Sequence, residues 1–242
     1  MPDVLSPLTN VLAGVLATSH HLTSSIGLTG GFAWVAALVL LVVALRIALL
    51  PLAIRSFRHA VAMSKAAPDL RRLQEQFSGK NDLERLQALA NERRELLARH
   101  GASGLGLTPM LLQLPLLWSM YHLVTTLAAG RPLGLLDAGL VASASSAALL
   151  GVHVSTGLLA APLLTTWPVL LLGILAAAGS FAASRWGSVT RPEGLMEWLP
   201  AVSAVGVLVS TCFVPAGVVL YWALTNAWTA DQQFVLRRAI VA

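Results

Sequence analysis

Arg46 is the side chain in this sequence whose position most demands a chemical explanation. It lies inside Phe32–Ile54, an otherwise uncharged apolar run of 23 residues. A bilayer core about 30 Å thick takes roughly 20 helical residues, so the run is long enough to cross. At about 1.5 Å per residue, Arg46 sits roughly 13 Å before Arg55, where the charged segment begins. A guanidinium at that depth costs at least a few kcal/mol unless water or a polar partner surrounds it. A snorkelling anchor would lie within a turn of the interface, and Arg46 is too deep for that. The chemistry it offers is electrostatic, because a cation in a low-dielectric cavity draws acidic groups more strongly than one in bulk water.

Other polar residues fall inside apolar runs. Gln113 lies in the second run and Ser180 in the third, while Asn226, Thr229 and Gln233 lie in the last, three and four residues apart. That spacing puts the last three on one helical face. With Arg46 and Gln113 they are expected to line a wet cavity open to the cytoplasm. The plain alternative is that isolated hydroxyls bond their own backbone or a neighbouring helix. Pro51 cannot donate to Ile47, which frees a carbonyl one residue from Arg46. Gly101-Ala102-Ser103-Gly104 fits the short pattern of intramembrane serine proteases, with His122 the one histidine in a predicted span. It directly follows a charged helix, however, and reads more simply as a C-cap and turn.

The elements that carry these residues are legible from hydropathy. Hydrophobic residues make up 56% and charged residues 11%, against roughly 25% charged in soluble domains, and mean hydropathy is +0.74. An all-α polytopic membrane protein is expected, with five spans at 32–54, 105–128, 162–184, 195–213 and 216–235. The last two are separated only by Val214-Pro215, so they are expected to form an antiparallel helical hairpin. No matched pair of broken helices marks an inverted repeat, which disfavours a channel or small transporter. The single cysteine, Cys212, leaves no intramolecular disulfide and no zinc cluster. No Walker A pattern is present, and no cofactor is expected.

Charge sets the orientation. The segments 55–104, 185–194 and 236–242 carry fourteen lysines and arginines, against Arg131 alone in the loop 129–161. The positive-inside rule places those three segments in the cytoplasm and the N-terminus outside. A pI near 10.3 is therefore a membrane-topology signal, and no specific nucleic acid is expected. Residues 1–31 carry Asp3 where a signal peptide would be positive. Val4, Leu8, Val11 and Val15 recur there at helical spacing after the Ser6-Pro7 start. This reads as an amphipathic helix on the outer surface, with an extra span as the alternative.

The segment 55–104 reads as an antiparallel helical hairpin. Pro68 opens one helix to Phe77, Ser78–Asn81 turns, and Asn81 and Glu84 cap a second helix running to about His100. Ten basic and six acidic residues cover it. Either this is a solvated face, or Arg71, Arg72, Arg85, Arg93 and Arg94 form a docking surface for ribosomes, anionic headgroups or polypeptide.

Taken together, the motifs resemble the YidC/Oxa-type membrane protein insertases. Arg46-Ile-Ala-Leu-Leu-Pro51 looks like their first core span, and the hairpin matches their first cytoplasmic loop. Thr108-Pro109-Met-Leu-Leu-Gln113-Leu-Pro115 is similar to their second. Pro215-Ala-Gly217-Val-Val-Leu220-Tyr221-Trp222 with Asn226 and Gln232-Gln233 resembles their last. The resemblance covers nearly the whole chain from Phe32, and the motifs keep the family order. Ser103-Gly104 departs from the usual Asn-Pro before the second span. The absence of a long basic tail after Arg238 and of a large domain before the first span points to the short Gram-positive or actinobacterial type.

What the resemblance implies is a five-helix bundle with a groove open to cytoplasm and lipid and closed to the outside. Its implied lining adds Trp222 and Ser180 to Arg46, Gln113, Asn226, Thr229 and Gln233. A client's hydrophilic tail would enter the groove, and its apolar segment would partition into lipid without nucleotide hydrolysis. The implied protein is not an enzyme and sits in the bacterial plasma membrane. Its implied partners are nascent membrane proteins and the lipid bilayer, with the Sec translocon and ribosome as further candidates.

Overall fold

The computed structural model describes residues 6–77, 83–102, 108–149, 152–153, 156–160, 163–189 and 194–241. Eight α-helices appear among them: α1 (Ser6–Ser25), α2 (Gly30–Phe77), α3 (Leu83–Arg99), α4 (Thr108–Ala128), α5 (Ala138–Ser146), α6 (Leu163–Gly187), α7 (Leu199–Thr211) and α8 (Ala216–Val241). A two-stranded antiparallel ribbon, β1 (Ala148–Leu149) with β2 (Val152–His153), follows α5. Hydropathy leaves 129–161 as a loop because α5 is short and built of small residues. It is nucleated by Asp137, whose side chain accepts from the Leu140 N–H at 2.8 Å.

Three of the described helical segments are long and apolar enough to cross a membrane: Gly30–Phe77, Thr165–Gly187 and Gly194–Thr211. The sequence reading expects five. Helix α8 falls short because Thr225, Asn226, Thr229, Asp231, Gln232 and Gln233 dilute its apolar character.

Helix α2 is 48 residues long and runs through both Pro51 and Pro68. The expected helix start at Pro68 is therefore a correction. An interior proline loses one ladder bond and normally costs about 3 kcal/mol. Here both prolines sit at exposed positions, so their rings point outward. Beyond Pro68 the helix is held by Leu73, buried where α3 packs along α2. Asp69 also meets His100, just past α3, at 3.6 Å. The turn at 78–82, with its Asn81 cap, lies outside the described residues.

Helices α7 and α8 are joined by a short turn, yet both pack chiefly on α6 rather than on each other as the expected hairpin would. Small residues on α6 let both approach. A Cβ at Gly173 would lie 2.7 Å from Thr211 of α7, and one at Gly179 would lie 3.0 Å from Asn226 of α8. The turn itself is fixed by the Ala216 N–H donating to the Thr156 carbonyl at 2.9 Å.

Helix α1 packs across α2 and α4. Leu12, Ala13, Leu16 and Ala17 join Trp34, Leu38, Leu41, Met120 and Leu123 in one buried cluster. Near its middle, Gly14 lies against Leu135, just beyond α4. Near its end, Thr23 Oγ1 donates to the Ala33 carbonyl at 3.1 Å, at the start of α2. Both anchor points mark the same end of the bundle, so α1 lies across that end. There Gly31 abuts the ribbon so closely that any Cβ would overlap the Ala148 carbonyl oxygen. At the opposite end a smaller cluster, Phe57, Val61 and Leu236, joins α2 to α8.

Candidate polar cavity between α2, α4 and α8

Between those two apolar ends lies a cavity of about 540 Å³. Helix α2 lines it from Val42 to Ala60, α4 contributes Leu114, Leu116 and Leu117, and α6 ends on it at Gly187. Helix α8 supplies most of its polar groups: Tyr221, Thr225, Thr229, Gln232 and Gln233. Successive residues of this set are three or four apart, apart from the Gln232-Gln233 pair, so α8 turns one polar stripe toward α2.

Arg46 faces this stripe. Its Nη2 donates to the Thr225 carbonyl oxygen at 3.4 Å, and Thr229 Oγ1 donates to the same oxygen at 2.7 Å. Among the described residues no carboxylate lies within ion-pair range of Arg46; the ion pairs seen are Arg72–Asp69, Arg99–Glu95 and His100–Asp69, all in the charged hairpin segment. Ser56 Oγ donates to its own helix at Leu52, 2.8 Å away. Gln232 Oε1 accepts from Trp228 Nε1 at 3.0 Å. Gln233 Oε1 is buried without a hydrogen-bond partner. The cavity thus offers spare guanidinium donors at one level and an unfilled acceptor about 12 Å along α8, eight residues on. Among the described residues of this lining no nucleophile is paired with a base; what the set offers is hydrogen bonding and charge.

Of the residues the sequence singles out, Arg46, Thr229 and Gln233 come together here. Asn226, Trp222 and Ser180 are not in the lining. Asn226 packs on α6 at Gly179, a position at the edge of the face it shares with Thr229. Trp222 packs into the apolar clusters around Tyr221 and Val219. Ser180 Oγ donates to Ser203 Oγ of α7 at 3.3 Å, and Ser184 Oγ meets the same hydroxyl at 3.2 Å. That is the plain helix-to-helix bond. Gln113 falls on α4, and its side chain lies outside the described ones, as does that of Arg85. Tyr221 and Thr225 are lining residues that spacing alone did not select, as are Ser56 and Gln232. Tyr221 is 5% exposed overall, and Thr225 acts through a backbone carbonyl, which has no residue-type signal.

Arg71, Arg72, Arg93 and Arg94 are exposed on the charged hairpin segment. Gly101, at φ +71°, closes α3: the Ala102 N–H donates to Leu97 at 2.8 Å and the Gly101 N–H to Ala98 at 3.0 Å. This is the C-cap reading of the glycine pair; Ser103 lies outside the described residues. Among the described residues no three His, Cys, Asp or Glu side chains converge on a metal position.

The sequence matches the family described as 60Kd inner membrane protein over residues 25–242. It is 25% identical over 262 residues to "Membrane protein insertase YidC" of Tropheryma whipplei strain Twist, covering 97% of this chain and 84% of that protein. It is 28% identical over 261 residues to the protein of the same name from Streptomyces avermitilis, covering 98% of this chain and 59% of that one. "Membrane protein insertase MisCA" of Bacillus subtilis is 34% identical over 88 residues, 36% of this chain and 33% of that protein.

Proposed function

The chain belongs to the 60Kd inner membrane protein family and is a multi-pass protein of the bacterial membrane, and from that premise we propose that it is a membrane protein insertase. Helices α2, α4, α6, α7 and α8 are the five spans of this reading. Helix α1 lies on the outer surface, and the hairpin of α2's end with α3 projects into the cytoplasm. The observation that carries it is Arg46, a cation within an apolar span that faces a polar cavity and has no carboxylate partner among the described residues.

Two unit charges 4 Å apart attract by about 1 kcal/mol in water and about 4 kcal/mol at an effective dielectric of 20. A hydrophilic tail entering the cavity therefore meets donors whose pull is strongest where its desolvation is most costly. The client's apolar segment then partitions into lipid, gaining roughly 25 cal/mol per Å² removed from water, which is a sufficient drive without nucleotide. The outer end is packed with α1, α5 and the ribbon, so the tail enters from the cytoplasmic end. The partners on this reading are nascent membrane proteins, with the exposed arginines of the hairpin as the surface for the ribosome or the Sec translocon.

Crosslinking from Leu49 and Thr225, on either side of Arg46, to a stalled nascent membrane protein tests the reading. A crosslink to the client's polar tail is expected. Labelling of lipid alone from both positions would remove the cavity from the insertion path. Deleting 68–100 should impair insertion while leaving a folded bundle; an unfolded product would make the hairpin structural.

A further inference from the structure

The cavity meets the outside of the bundle along α4. Leu114 and Leu117 line it and are also exposed, so they form part of its rim. Toward the α1 end the interior is closed. Val42 and Tyr221 stand in the lining and belong to the buried apolar cluster with Leu38, Leu41, Met120 and Leu123. A polar chain moving that way inside the bundle would have to unpack this cluster.

On the outside, the rim continues. Tyr121 is four residues beyond Leu117 and seven beyond Leu114, so it shares their face, and Thr125 lies one turn further on. Trp118 and His122, four apart, form an adjoining row. Trp118, Tyr121 and His122 are exposed and Thr125 is half-buried. Thr125 joins the two rows, its Oγ1 donating to the Tyr121 carbonyl at 2.8 Å and to the His122 carbonyl at 3.1 Å. Among the described residues the Tyr121 hydroxyl and the His122 ring have no hydrogen-bond partner. Helix α4 contains no acidic residue, and Arg131 stands exposed three residues past its end. His122 lies six residues, roughly 9 Å, inside Ala128. With α4 as a span, an ionisable ring and a free phenol therefore face lipid within the outer leaflet. Ionisable groups at such depth mark paths for polar substrates.

We propose that this face of α4 is the track on which a client's hydrophilic tail crosses the outer leaflet, after leaving the cavity over Leu114 and Leu117. Lipid offers the tail's peptide groups no hydrogen bonds; Tyr121 and His122 offer both donors and acceptors. Acidic side chains of the tail meet no like charge along α4. The proposal rests on the insertase reading and deepens it by naming the route beyond Arg46.

The test follows a single-span client, with one cysteine in its hydrophilic tail, during insertion into proteoliposomes with a bismaleimide crosslinker. The full chain carries Cys212→Ser and one new cysteine: Leu49→Cys in the cavity, Thr125→Cys on the track, or Leu171→Cys on the exposed side of α6. Tail crosslinks are expected from Leu49→Cys and Thr125→Cys, with only background from Leu171→Cys. A tail that reaches Leu49→Cys but not Thr125→Cys overturns the track and leaves the insertase reading standing; a tail that reaches neither overturns both. Equal crosslinking from Thr125→Cys and Leu171→Cys also overturns it, because the tail then crosses through lipid at large. In the otherwise unaltered chain, Tyr121→Phe/His122→Phe keeps ring bulk and removes the polar atoms. It should lower the ratio of long-tailed to short-tailed client insertion by roughly threefold or more, the worth of one hydrogen bond in a membrane. An unchanged ratio overturns the proposal.

Discussion

Arg46 Nη2 and Thr229 Oγ1 both donate to the carbonyl oxygen of Thr225, at 3.4 and 2.7 Å. The cation of α2 is thereby tied to the backbone of α8 by one long bond, while most of its donors stay unused. A carboxylate reaching it would gain a charge-assisted bond of about 1.5–3 kcal/mol. Arg46→Ala should therefore lower insertion of clients with acidic tails by roughly tenfold or more, and of neutral-tailed clients far less. Arg46→Lys should retain part of the activity, since charge rather than fork geometry is used. Equal loss for both client classes in proteoliposomes would count against electrostatic capture.

Gln233 presents a buried acceptor that no described group fills. Such a group costs about 1–3 kcal/mol in a folded protein. Gln233→Leu removes it at similar volume, so thermal unfolding in detergent should shift upward by about that free energy. Insertion should fall at the same time, because the cavity loses a polar wall. A variant that is both less stable and fully active would show the amide to be structural.

Helix α6 holds its neighbours through glycine. A Cβ at Gly179 would lie 3.0 Å from both the carbonyl carbon and Cβ of Asn226 and 3.1 Å from the Ala227 nitrogen. Backbone atoms cannot swing aside, so Gly179→Ala should destabilise the bundle by about 1–3 kcal/mol, the usual cost of overpacking. Gly206 on α7 has open space at the same position. There Gly206→Ala should be neutral or stabilising by up to about 1 kcal/mol. Thermal melts of the two variants in one detergent decide it; similar shifts in both would mean that α6 and α8 are not in close contact.

Much of this arrangement was readable because membrane depth is a one-dimensional quantity. Arg46 could be placed by counting residues to Arg55, and Thr229 and Gln233 by helical spacing, without knowledge of the packing. Rotation about a helix axis is less legible. Asn226 satisfies the same spacing as Thr229, yet the contact with Gly179 of α6 claims it, because a helical face is broad and neighbours compete for its edges. Thr225 contributes a carbonyl oxygen, which every residue has. Pro68 looked like a helix start because the sequence does not say that its ring would face outward along a helix held by Leu73 and α3. One of the two further expected spans is α8, where Thr225, Thr229, Gln232 and Gln233, which line the cavity, also lower the hydropathy signal.

His20 is expected to couple the docking of α1 to pH. Its imidazole stacks on Trp34 with ring centroids 4.0 Å apart and a 27° interplanar angle, and Trp34 Nε1 donates to Ser143 Oγ at 3.1 Å. Burial against the bundle pushes the imidazole below its ordinary 6.5, with a smaller push from neighbouring His21. The undocked helix therefore takes up a proton more readily than the docked one. Docking stability from His20 is full above about pH 6.5 and declines as pH falls through and below that value. Hydrogen exchange of the α1 amides should accelerate between pH 7 and pH 5, beyond the intrinsic change in exchange rate, in step with a change in Trp34 fluorescence. His20→Phe keeps a stacked ring and should abolish that dependence. Stronger protection of α1 in acid would mean that the attraction between imidazolium and indole exceeds the desolvation cost, and the sign of the coupling would be reversed.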